Sequence, residues 1–196
     1  MSRISSIIGR QRERRLSSFT LVELLTVIAI IAILAGLVLA AGGGVLKKAA
    51  RSRAVSEIAS MSNLLESYKV DNGVYPTFDM TQPYFNQDPS TPLGLYQLSS
   101  QVLFQNLTGK TNATDVPVPG VKSYATFSAS QLGNPNAGTY IKDPFGFSYG
   151  YSTGDGTAAN PPNNGVGFFD LWSTGGTTGY TKANPNYTNT WLENWK

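Results

Sequence analysis

Polar and apolar positions are segregated in blocks along the first third of this chain. Residues 1–18 are polar and basic, and from Leu24 to Leu46 no residue is charged. At about 1.5 Å rise per residue, that uncharged stretch makes roughly 35 Å of helix, enough to cross a hydrocarbon core of about 30 Å. It is longer than the apolar run of about 7–15 residues in a removed secretory signal, so a membrane-spanning helix is the better reading. Past Lys47 the pattern changes. Ala54, Ile58, Met61, Leu65 and Tyr68 recur alternately four and three residues apart, which lays one apolar stripe along an amphipathic helix. Asn72-Gly73 is a helix stop, with glycine free to take the left-handed cap and Pro76 close behind. The pattern therefore predicts one long helix, its first half apolar all round and its second half one-sided.

Beyond the stop, Thr77–Pro92 reads as loop. Thr91-Pro92 suits the start of a helix, with Thr91 as N-cap and Pro92 in the first turn. Leu95, Leu98, Val102, Leu103 and Leu107 mark its apolar face, and Gly109 its end. Thr111–Gly138 is rich in Asn, Thr, Pro and Ser, with a short strand expected at Tyr124–Phe127. Asp143-Pro144-Phe145-Gly146 is a turn sequence. After it Phe147, Tyr149 and Tyr151 alternate as in a strand, and Phe168–Ser173 reads as the partner across the loop 153–165. The fold class is α+β. Residues 1–18 form a basic leader, 19–46 a membrane helix, 47–73 its amphipathic continuation and 74–196 a loop-rich head with a small antiparallel sheet.

Composition narrows the chemistry. The 196 residues include no Cys and no His, which excludes disulfides, thiolate metal sites, a Ser-His dyad and the commonest zinc ligand. The net charge of +3 is a property of the leader, where five Arg face one Glu. After Val70, eight acids outnumber five Lys, so the head carries no basic nucleic-acid face. Lys47, Lys48, Arg51 and Arg53 lie where the uncharged stretch ends and suit anionic headgroups. Arginines precede the span as well, so flanking charge scarcely orients it. A basic N-terminus inside and the large domain outside is favoured, because long domains translocate largely regardless of charge. Asp143, Asp155 and Asp170 fall near turns, and nothing in the sequence pairs two of them as acid and base.

Glu23, just inside the N-terminal edge of the span, has two readings. A carboxylate in a bilayer costs a few kcal/mol on insertion scales and usually has a partner and a function. Alternatively, Thr20-Leu21-Val22-Glu23 fits a capping box, in which Thr and Glu satisfy the free N–H groups of the first turn.

Ser18-Phe19-Thr20-Leu21-Val22-Glu23-Leu24-Leu25-Thr26-Val27-Ile28-Ala29-Ile30-Ile31-Ala32-Ile33-Leu34-Ala35 resembles the N-terminus of type IV pilins and type II secretion pseudopilins. Two further stretches narrow the resemblance to major pseudopilins. The first, Tyr68 to Pro76, carries Tyr-x-x-Asp-Asn-Gly-x-Tyr-Pro. The second pairs Asp143-Pro144-Phe145-Gly146 and its tyrosines with Asp170-Leu171-Trp172-Ser173, and the chain then closes on Asn194-Trp195. The resemblance implies a pilin-like fold and a function in assembly, not catalysis. It implies cleavage between Ser18 and Phe19 and methylation of the new Phe19 amine. Ser18 stands where the family nearly always has Gly. Glu23 would neutralise the Phe19 amine of a neighbouring subunit as it docks. Gly42–Gly44 would then be either a close-packing site or a segment that bends or melts when subunits stack. The implied partners are further copies in a helical filament, a prepilin peptidase, an inner-membrane platform protein, a cytoplasmic ATPase and minor pseudopilins, with no nucleic acid. The implied place is the bacterial inner membrane, crossed once, with a cytoplasmic N-terminus and a periplasmic head. A pilin for adhesion, motility or DNA uptake is the alternative within the family. A membrane-anchored binding module is the alternative outside it. The resemblance implies no cofactor beyond calcium, in the loop after the Asp-x-x-Ser strand, where Asp170, Leu171 and Ser173 are the candidate ligands. Asp170 is the only acid between Asp155 and Glu193, and it serves equally well as a strand-end acceptor.

Overall fold

The structure, a computed structural model, describes residues 19–78, 89, 94–134, 136, 138–154, 161–178 and 190–195; of residues 40–43 it describes the backbone alone. The chain falls into two compact units, Met1–Val45 and Leu46–Lys196. Helix α1 spans Leu21–Asn72 and runs through Gly42–Gly44 without a break. In the first unit the described hydrophobic side chains of α1 all face outward, Leu21, Ile33 and Val38 among them, as expected of a helix whose solvent is not water. By length and composition this helix can cross a membrane.

In the second unit α1 ends as its sequence requires. Gly73 takes φ +80° and its N–H donates to the Lys69 carbonyl at 2.7 Å, a left-handed cap. The Asn72 amide donates to the Tyr68 carbonyl and to the Tyr124 hydroxyl, at 2.9 and 3.0 Å. Tyrosines pin the exit. Tyr68 donates to Asn106, Tyr75 donates to Glu66 at 2.7 Å, and the Tyr75 ring meets Phe169 edge-on. Of the expected stripe, Ala54, Ile58, Met61 and Leu65 are buried, in one core cluster with Leu103, Phe104, Leu107, Tyr149, Tyr151 and Leu171. Tyr68 is only half buried.

Helix α2, Leu95–Thr108, begins three residues later than Pro92 and has Gly94 as its N-cap; Thr91 and Pro92 lie outside the described residues. Its inner face is also rotated from the expected one. Tyr96, Ser99, Ser100, Leu103, Phe104 and Leu107 are buried, while Leu98 is 37% exposed and Leu95 and Val102 are half-buried. Polar demand sets this face. The Ser100 hydroxyl donates to the Ile141 carbonyl and accepts the Ile141 N–H, both at 2.9 Å, and the Ser99 hydroxyl accepts the Tyr151 N–H. Small side chains let the helix approach backbone groups that would otherwise be buried unpaired.

Among the described residues two antiparallel sheets complete the unit. Strands β1 (Leu132–Gly133) and β2 (Tyr140–Ile141) form a short pair that the sequence pattern did not reveal. Strands β3 (Gly150–Ser152), β4 (Asp170–Ser173) and β5 (Leu192–Glu193) form the other, in the order β3-β4-β5. Gly150 pairs with Trp172, Tyr151 with Leu171 and Ser152 with Asp170, so the expected hairpin exists. It starts later than expected because the Asp143 carboxylate accepts the N–H groups of Phe145 and Phe147, both at 2.9 Å, and holds 143–147 as a turn. The strand expected at Tyr124–Phe127 is absent: the N–H groups of Tyr124 and Ala125 both go to the Leu107 carbonyl and close the end of α2. A long N-terminal helix followed by small antiparallel sheets is the α+β, pilin-like architecture read from the sequence.

Candidate functional site

Two places in the molecule carry the residues singled out by the sequence. The first is the start of α1. Phe19 precedes the helix and is 75% exposed, and Ser18 lies outside the described residues. Thr20 is the N-cap. Its N–H and its hydroxyl donate to Glu23 Oε2 at 2.9 and 2.8 Å, and the Glu23 N–H donates to Thr20 Oγ1 at 3.2 Å. The capping box is therefore formed in the single chain. All three bonds fall on one residue pair. The carboxylate is held at the positive end of the helix dipole, one turn from the free end of the chain that cleavage after Ser18 would expose.

The second is the strand β4 and its surroundings. Asp170 is fully buried, and burial pushes its carboxyl above the usual range against the pull of its hydrogen bonds. Its Oδ2 accepts the backbone and side-chain N–H groups of Asn163, at 2.7 and 2.8 Å. Its Oδ1 accepts those of Asn164, at 3.1 and 3.3 Å. The Ser173 hydroxyl donates to Asp143 Oδ2 at 2.6 Å and accepts the Gly175 N–H. Asp143 is raised by burial too, opposed by its bonds to Ser173, Phe147 and Phe145. The Leu171 carbonyl accepts the Asn194 N–H.

The calcium expectation can be tested on this geometry. Ca²⁺ takes six to eight oxygens. At Asp170 the groups aimed at the carboxylate are N–H donors, which a cation would repel. The oxygens of Leu171 and Ser173 are engaged by Asn194, Asp143 and Gly175. Among the described residues no three acidic side chains come together as a metal-binding group. The set Asp170, Leu171 and Ser173 does not fit the ion. Asp155 lies outside the described residues. Asn194, noted only for the Asn194-Trp195 ending, accepts from the Asn164 amide, and the residues that bond Asp170 itself, Asn163 and Asn164, were not singled out in the sequence. Their one signal was the turn-forming run Pro162-Asn163-Asn164-Gly165, shortly before a lone acid.

The half of α1 that joins the second unit carries a further charged group. Glu57 accepts from Arg53 at 2.8 Å, from the Gln131 amide at 3.2 Å and from the Tyr149 hydroxyl at 2.7 Å. Burial, and next the bond to Glu57, hold the Tyr149 hydroxyl far above the usual tyrosine range.

An exposed apolar helix opened by a capped carboxylate, and followed by an α+β head, is the arrangement that the resemblance to prepilins implies. Residues 14–39 match the prokaryotic N-terminal methylation motif. The particular likeness is to type II secretion system core protein G. The chain is 40% identical to that of Dickeya chrysanthemi over 80 residues, covering 41% of this chain and 52% of the relative. It is 47% identical to that of Aeromonas hydrophila over 66 residues, covering 34% and 46%. It is 37% identical to that of Vibrio cholerae serotype O1 over 82 residues, covering 42% and 56%. The chain spans about half the length of the curated relatives it matches.

Proposed function

We propose that this chain is a structural subunit of a type II secretion pseudopilus and that it works by assembly, not by catalysis. The observation that carries this reading is the methylation motif at 14–39. It runs into the span that is uncharged from Leu24, with Glu23 in the first helical turn, in a chain similar to core protein G. In this reading the leader 1–18 is removed by a prepilin peptidase and the Phe19 amine is methylated. The chain crosses the bacterial inner membrane once, its N-terminus cytoplasmic and its head periplasmic. A cytoplasmic ATPase and a platform protein draw subunits into a helical filament, capped by minor pseudopilins, that drives export.

Glu23 has a physical task here. In lipid no hydrophobic force brings helices together, so packing and polar pairs must do it. An ammonium from a neighbour removes two unpaired charges at once, in a medium where their attraction is strong. The capping box and the pairing are compatible, since a carboxylate accepts more bonds than Thr20 supplies.

The test is mass spectrometry of the protein recovered from its host, with electron microscopy of the sheared fraction. A chain beginning at methylated Phe19, in short filaments lost when the secretion genes are deleted, is the expected result. Long surface fibres would move the protein to the adhesive pilins. An uncut monomer would overturn both.

A further inference from the structure

The sequence resemblance implies calcium in the loop after β4, of which 179–189 lie outside the described residues, with Asp170 as its one acidic ligand, and the geometry around Asp170 leads elsewhere. Asp170 is buried, and each carboxylate oxygen already holds a backbone and a side-chain N–H. The same asparagines reach further. The Asn164 amide also donates to the Phe169 carbonyl at 2.7 Å and to Asn194 Oδ1 at 3.1 Å. Asn194 Oδ1 accepts the Leu171 N–H at 2.9 Å, and its amide donates to the Phe169 carbonyl at 3.2 Å. The residue next to the last strand is thus tied to both the loop and β4.

We propose that an amide clamp of Asn163, Asn164 and Asn194 around Asp170 closes the C-terminal sheet without any divalent cation. Three arguments support it. The carboxylate's lone pairs are filled by donors, and admitting a cation would mean turning the 163–164 backbone away. The sequence offers no second carboxylate between Asp155 and Glu193, whereas a calcium site draws several of its oxygens from carboxylates. The clamp also ties the loop 163–170 to Asn194, the residue next to β5, through the Asn164 amide. An amide donor needs no concentration of free ligand to stay in place. A head closed this way keeps its sheet in calcium-free surroundings, where a calcium-closed head would open. The inference concerns the closing of the head, so it stands whether or not the chain polymerises.

The three tryptophans report on this region directly. Trp172 stacks on Trp191 and meets Trp195 edge-on, beside the clamp. The experiment is a thermal melt of the full chain in detergent micelles, followed by tryptophan fluorescence, with millimolar calcium or with EGTA. The expected result is the same midpoint in both. A genuine site supplied at a hundred times its Kd would raise the midpoint by about 5 °C or more, and such a rise, reversed by EGTA, overturns the proposal. Asn164→Ala is expected to lower the midpoint by about 5 °C in either buffer. Asn194→Ala leaves every bond to Asp170 in place and removes those to Asn164, Leu171 and Phe169, and it is the second variant should the first fail to fold. If both melt like the wild type, the clamp is not what closes the sheet.

Discussion

Glu23 serves two purposes in this account, and one pair of substitutions separates them. Glu23→Gln keeps an acceptor oxygen at the third helical position, so the capping box with Thr20 survives while the charge goes. Glu23→Ala removes both. Losing the cap costs about 0.5–2 kcal/mol, spent on the first turn of a helix that spans Leu21–Asn72. Losing the charge removes the pairing with a neighbour's amine. If that pairing cancels an insertion cost of about 3 kcal/mol, its loss raises the concentration needed for assembly roughly 100-fold. The alanine variant should add at most about another thirtyfold. The assay is the fraction of protein sedimenting as filament after shearing, across a range of expression levels. Both variants should fail at levels where the wild type polymerises. If Glu23→Gln assembles like the wild type while Glu23→Ala does not, the carboxylate is a helix cap and the charge-pairing argument is wrong.

Other consequences lie in the head. Gly150→Ala would drive a methyl into the ring of Trp172, which Tyr96, Trp191 and Trp195 hold in place. A loss of about 1–3 kcal/mol is expected in denaturant titration, and an unchanged midpoint would contradict that packing. Ser100→Ala would leave the Ile141 N–H buried without its partner, while the Ile141 carbonyl keeps the Tyr149 N–H; the cost is about 1–3 kcal/mol, whereas Leu98→Ala on the same helix should cost far less. Burial pushes Tyr75 up to about 12, and raises Tyr149 and Tyr151 as well. These tyrosines keep their protons in the folded head after the unfolded chain has lost them, near pH 10. Their contribution is therefore intact below pH 10 and falls as pH rises above it, by up to about 1.4 kcal/mol per unit for each tyrosine. Melting at stepped alkaline pH, with tyrosinate absorbance recorded alongside, should show unfolding and ionisation together; ionisation ahead of unfolding would refute the assignment.

Much of this was legible in one dimension because it depends on near neighbours in the chain. The uncharged run to Leu46, the box from Thr20 to Glu23, the Asn72-Gly73 stop and the stripe Ala54–Leu65 are all set by residues within a turn or two of each other. Helix formation is governed at that range, and the structure realises each. The hairpin of Tyr151 with Leu171 was legible for the same reason, since alternation and turn residues are local signals.

What the fold decided was where polar groups find partners across long separations. Leu98 reads as core from its spacing, yet it is Ser99 and Ser100 that turn inward, because strand groups about forty to fifty residues away need donors and acceptors. Tyr124 and Ala125 read as strand, yet their N–H groups close the end of α2. Asp170 reads equally as a calcium ligand or an acceptor. Only the folded chain brings Asn163 and Asn164 to it, and Asn194 to Asn164, and donors placed on both oxygens leave the buried carboxylate nothing for a cation to take. Apolar periodicity is written into a chain residue by residue; the pairing of buried polar groups is fixed only when distant segments meet.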